Sequence, residues 1–132
     1  MKKLKRIAVI TIAMIMMLSL AIVISSAQTV SVSPSPTLAG YTITASNTIL
    51  LSSGSALTSI AYQYGGATVS GTYSYINPTT LVTGSETKNN SGQAGASISF
   101  TAPANNRSVR LNTSHSANAS SQTWSGSLNN VR

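Results

Sequence analysis

Past residue 27 the apolar side chains recur at every second position, and no stretch repeats them every three to four. Ala96, Ile98 and Phe100 alternate with Ser97, Ser99 and Thr101. Val109, Leu111, Thr113 and His115 alternate with Ser108, Arg110, Asn112 and Ser114, and Tyr41, Ile43 and Ala45 alternate with Thr42 and Thr44. A two-residue period places each set on one face of a strand. Val30–Ser33, Thr48–Ser52, Leu81–Glu86 and Gln122–Leu128 read as shorter strands. Turn-forming residues separate them at Ser33-Pro34-Ser35-Pro36, Ser52-Ser53-Gly54, Asn77-Pro78, Lys88 to Gly92 and Pro103 to Asn106. Roughly seven to nine short strands at this spacing predict an all-β fold, a small antiparallel β-sandwich over residues 38–132. A small barrel is the alternative.

The strongest local signal lies around Gly65-Gly66. Two glycines supply the positive φ angles of a two-residue hairpin turn. The predicted register pairs Tyr64 with Ala67, Tyr62 with Val69, Ile60 with Gly71 and Thr58 with Tyr73. It collects Ile60, Tyr62, Tyr64, Val69, Tyr73 and Tyr75 on one face, as a half-buried hairpin requires. Two similar heptads, Gly66–Thr72 and Gly95–Thr101, read as strands holding similar positions in the sheets.

The layout of short strands and turns resembles bacterial immunoglobulin-like domains, and the resemblance implies two packed sheets. The Cys–Trp–Cys triple of true immunoglobulin domains is absent, since the chain has no cysteine.

The N-terminus reads as an export signal over residues 1–27. Lys2, Lys3, Lys5 and Arg6 precede an apolar run from Ile7 to Ile24, and Ser25-Ser26-Ala27 offers a cleavage site after Ala27. This predicts a signal-peptide helix and a secreted or cell-surface protein. An uncleaved anchor is the competing reading, because the run reaches the lower edge of membrane-spanning length. Membrane contact is otherwise not expected. Residues 28–37 read as a flexible Ser/Pro-rich linker or an edge strand.

Past the leader, four cations (Lys88, Arg107, Arg110, Arg132) face one carboxylate, Glu86, a net charge of +3. Nucleic-acid binding needs clustered Lys and Arg, and strand spacing puts Arg107 and Arg110 on opposite faces. One carboxylate, one imidazole (His115) and no thiol also leave little material for catalysis or metal binding. Paired-carboxylate glycoside hydrolysis is excluded outright. A Ser–His–acid triad can be drawn only from His115 and Glu86, with no Gly-x-Ser-x-Gly elbow. The expectation is therefore a non-enzyme without cofactor or metal, with His115 a polar residue at the end of its strand.

Ser and Thr supply 36 of the roughly 105 residues after the leader, whereas Leu, Ile, Val and Phe supply 19. With so lean a core, most of the tyrosines are expected inside. Tyr64, Tyr75 and Trp124 are the candidates for exposed stacking platforms. So few charges give little repulsion between copies and few guards on strand edges. The functional expectation is a structural, adhesive or surface-matrix component that self-associates or binds the cell surface. A carbohydrate-binding module using Tyr64, Tyr75 or Trp124 is the first alternative. A small secreted antibacterial protein is the second.

Overall fold

A computed structural model describes residues 27–132, and the leader read from the sequence, all but its last residue Ala27, lies outside the described residues. Nine strands build the fold: β1 (Gln28–Ser31), β2 (Thr37–Leu38), β3 (Tyr41–Ile49), β4 (Ser53–Ile60), β5 (Gly66–Ile76), β6 (Thr83–Gln93), β7 (Gly95–Thr101), β8 (Arg107–Ala119) and β9 (Gln122–Val131). They form two antiparallel sheets. The first has the order β1-β3-β4-β7, with β2 also pairing β3, and the second has the order β6-β5-β8-β9. The two sheets pack face to face as a sandwich.

The alternation read from the sequence sorts the faces well. Ile43, Ala45 and Ile49 of β3, Ala96, Ile98 and Phe100 of β7, and Leu111 of β8 are all buried. The two similar heptads lie in opposite sheets, and β5 and β7 meet across the core. A Cβ added at Gly71 would come within 2.8 Å of Ile98 Cδ1.

The predicted hairpin does not exist. β4 pairs with β3 and β7, whereas β5 pairs with β6 and β8, so residues 61–65 carry the chain from one sheet to the other. Neither Gly65 nor Gly66 has a positive φ. The glycines are needed for space. A Cβ on Gly65 would sit 2.7 Å from the Asn118 carbonyl oxygen and 2.8 Å from Ile60 Cγ2, and one on Gly66 would sit 2.9 Å from the Asn118 amide.

Three further expectations are corrected. Lys88 to Gly92 is not a turn but the middle of β6, paired residue for residue with Ala67 to Gly71. The backbone ladder to β5 overrides the turn-forming preference of Asn, Ser and Gly. Thr48 belongs to β3, and the following turn is closed by Leu50 N–H donating to the Ser53 carbonyl at 2.8 Å. His115 lies well inside the thirteen-residue β8, not at its end.

Two-residue hairpin chemistry does occur, between β2 and β3. Leu38 pairs with Tyr41 across Ala39 (φ 51°) and Gly40 (φ 82°), the positive-φ pair of a type I′ turn. Glycine accepts this conformation freely, whereas alanine pays about 1–2 kcal/mol for it.

Candidate functional site

The interior is layered along the strands. One apolar cluster gathers Ile49, Ala56, Val69, Tyr73, Ile98, Phe100 and Leu111, with the Tyr73 and Phe100 rings stacked at 5.4 Å. A second, smaller cluster at the other end holds Ile43, Ile60, Ala117 and Ala119, with Leu38, Tyr62 and Trp124 packed on it. The inward positions between them on β3, β4 and β8 are polar: Asn47, Thr58, Thr113 and His115, all buried.

These four side chains form one hydrogen-bonded chain. Thr58 Oγ1 donates to the Thr68 carbonyl at 3.0 Å and lies 2.7 Å from His115 Nδ1. The Thr58 hydroxyl proton is thereby used, so Nδ1–H must be the donor of the second bond. Nε2 is then the acceptor for the Thr113 hydroxyl at 2.8 Å, and Thr113 Oγ1 in turn accepts from Asn47 Nδ2 at 3.0 Å. Asn47 Nδ2 also lies 3.3 Å from the Leu111 carbonyl and 3.4 Å from that of Leu128. A neutral imidazole satisfies every bond in this chain. Burial holds the His115 pKa below its ordinary value of 6.5, partly opposed by a hydrogen bond to the Leu57 backbone. Asn47 Oδ1 is buried without a partner.

His115 and Glu86 are not brought together. Both imidazole nitrogens are engaged by threonines, and Glu86 pairs instead with Lys88 at 3.2 Å on β6. Among the described residues no three His, Cys, Asp or Glu side chains gather as a metal site. Tyr73 is a core residue whose hydroxyl meets Ser108 Oγ at 2.6 Å. Burial raises its pKa above 10.0, more than the Ser108 bond lowers it.

The aromatic residues divide between the two ends of the sandwich. Tyr64 is 70% exposed and meets Tyr62 edge-on at 5.8 Å, and Tyr62 stacks on Tyr41 at 4.7 Å. Trp124, half-buried, packs on the same small cluster as Tyr62. Tyr75 stands at the far end of β5, roughly 30 Å away at strand rise, tilted against Tyr73 with its ring over Gly84. Of the three candidate platforms, Tyr64 and Trp124 thus share an end and Tyr75 does not. Tyr41 was not among them, although its position next to Gly40 at a strand start was a usable signal.

The outer face of the second sheet is a grid of short polar side chains. Its rows are Thr68–Ser116–Ser125, Ser70–Ser114–Ser127 and Thr72–Asn112–Asn129. A hollow of about 360 Å³ lies over the last two rows.

The lateral seams complete the picture. Where β6 meets β7, Lys88 Nζ donates to the Ser99 carbonyl at 2.8 Å and Asn90 Nδ2 to that of Ser97 at 3.0 Å. Where β9 meets β1, Asn130 Nδ2 donates to the Gln28 carbonyl at 2.8 Å and lies 3.5 Å from that of Asn47. β1 and β9 carry no charged side chain and no proline, the usual guards of a strand edge.

No family model, curated protein or solved structure matches this chain.

Proposed function

We propose that the chain is a non-catalytic, exported structural subunit that builds a surface or extracellular matrix by pairing strands with further copies of itself. One observation carries this reading: the β1/β9 seam presents fourteen strand residues without a charge or a proline. Soluble sandwiches ordinarily guard such edges against pairing. The leader ending at Ala27 supports export, and the buried, fully engaged His115 supports a structural role. The order β6-β5-β8-β9 supports the immunoglobulin-like comparison, since it has the C′-C-F-G arrangement of that fold. The consecutive hairpin β3–β4 within the first sheet departs from it. Light scattering coupled to size exclusion over a hundredfold concentration range tests the assembly. Concentration-dependent multimers that melt cooperatively are expected, and a monomer at every concentration refutes it.

The Tyr41–Tyr62–Tyr64 cluster, with Tyr41 and Tyr64 exposed, favours a second reading, polysaccharide binding at that end of the sandwich. Aromatic faces dock on sugar rings, and the adjoining hydroxyl-rich surface offers hydrogen bonds. Tyr or Trp fluorescence should then shift with cell-wall or plant polysaccharides. A silent response across a broad glycan panel removes this reading.

A further inference from the structure

The segment Gln28–Leu38 has a backbone ladder along one side only. β1 pairs with β3 from Gln28↔Ile49 to Ser31↔Ser46, and β2 pairs with it at Thr37↔Thr42 and Leu38↔Tyr41. Between them Val32 N–H donates to the Ala45 carbonyl at 3.0 Å, and the Pro36 carbonyl accepts from Ile43 N–H at 2.8 Å. Beyond this ladder the segment is held by the Thr29–Thr48 hydroxyl pair at 2.9 Å, the Asn130 bond to Gln28, Gln122 Oε1 accepting from Ala39 N–H at 3.2 Å, and the packing of Leu38. Most of its side chains face solvent.

The joint to β3 is the turn with Ala39 at φ 51°. A short hinge under strain is a known route to exchange of elements between copies. Straightening residues 39 and 40 releases the alanine from the left-handed region and runs Thr37–Leu38 on into β3, with Gln28–Ser31 carried beyond the bend at Ser33–Pro34. Two such segments, run antiparallel, regain every pairing that each lost, now across copies.

We infer that the partner on this edge is a second copy of the chain, joined by reciprocal exchange of Gln28–Leu38 onto β3. This rests on the assembly reading above and names its joint. Exchange replaces contacts within one chain by the same contacts between two, so it needs no new surface.

The absence of cysteine makes the test direct, because any disulfide comes from introduced residues. Thr29→Cys and Thr48→Cys are placed in separate, differently tagged full-length chains, which are exported together and oxidised. A disulfide between the two tags forms only if residue 29 of one copy meets residue 48 of another. Ser31→Cys with Ser46→Cys repeats the test at the next outward-facing pair, should the first pair disturb folding. We expect the mixed-tag product with both pairs. Ala39→Gly, which removes the hinge strain, should lower its yield roughly fivefold, equivalent to about 1 kcal/mol. Ala39→Pro, which cannot hold a positive φ, should raise it. Multimers without the mixed-tag product overturn the exchange while leaving assembly standing, with the free edge of β9 as the joint. A monomer, cross-linked only within itself when both substitutions share one chain, overturns the exchange and the assembly reading together.

Discussion

The sandwich is closed along its two sides by the same chemistry, yet the sides differ in what they hold. At the β6/β7 seam, Lys88 and Asn90 reach across to two edge carbonyls of β7, and the Lys88 ammonium lies 5.2 Å from the Phe100 ring centre. The strands are consecutive, joined through Ala94, which is tied on both sides: its N–H donates to the Gly65 carbonyl at 2.8 Å and its carbonyl accepts from Ile60 at 2.9 Å. At the β1/β9 seam one amide, Asn130, bridges strands 102 residues apart in sequence. Opening the first seam disturbs the sheet crossing and the main apolar cluster. Opening the second releases one short segment and leaves the β3-β4-β7 and β6-β5-β8-β9 ladders paired. The difference gives the two sides unequal ties to the interior, and the β1/β9 side is the one expected to open at the lower cost.

Removing the bridge should widen this contrast most. Asn130→Ala leaves the Gln28 carbonyl without its donor and opens a small void in a site only 2% exposed. Gln28 is exposed and water can replace the lost donor, so the cost expected in urea unfolding is about 1 kcal/mol. Its sharper signature is spatial. Amide exchange should quicken across Gln28–Ser31 while Gly95–Thr101 keeps its protection. Equal loss on both sides would show that the seams open together, and the comparison would fail.

How far the sequence carried this picture follows from what alternation can and cannot encode. It assigns faces, and so Ile98 and Phe100 were sorted onto one face with Ala96, and Ile43 with Ala45, the faces that are buried. It does not assign partners. Ile60, Tyr62 and Tyr64 share a parity whether they enter a hairpin or a crossing, and the pairing of β4 with β7 and of β5 with β8 is what separates the two. The polar layer left a trace that went unused. Asn47, Thr58, Thr113 and His115 all occupy the parity of buried neighbours on their strands, and polar residues recurring there on three strands mark a buried network. β6 was legible only in part, because Lys88-Asn89-Asn90-Ser91-Gly92 has the composition of a turn. As an edge strand it buries little, so it had no apolar alternation to show.

A smaller test of the same contrast comes from pH, since the polar layer touches only one seam. From His115 the hydrogen bonds pass through Thr113 to Asn47, whose carbonyl faces Asn130 at the β1 side. No carboxylate stands near the imidazole, so nothing there rewards its protonation. Unfolded, His115 takes up a proton near pH 6.5, whereas the folded chain resists until a lower pH. The unfolded state therefore binds more protons across that window, and stability must fall as pH drops below about 6.5. Above it His115 is neutral in both states and its contribution is flat. The effect should be modest, because the Leu57 backbone bond opposes the burial that lowers the pKa. Once protonated, Nε2 becomes a donor and turns the Thr113 hydroxyl toward the Leu128 carbonyl, a poor contact at 3.5 Å. Urea midpoints measured from pH 7 to 5 should decline, with exchange rising first at Gln28–Ser31. His115→Gln, which keeps a donor and an acceptor but does not titrate, should flatten that slope. A slope unchanged in His115→Gln would place the acid sensitivity elsewhere and leave the two seams electrostatically alike.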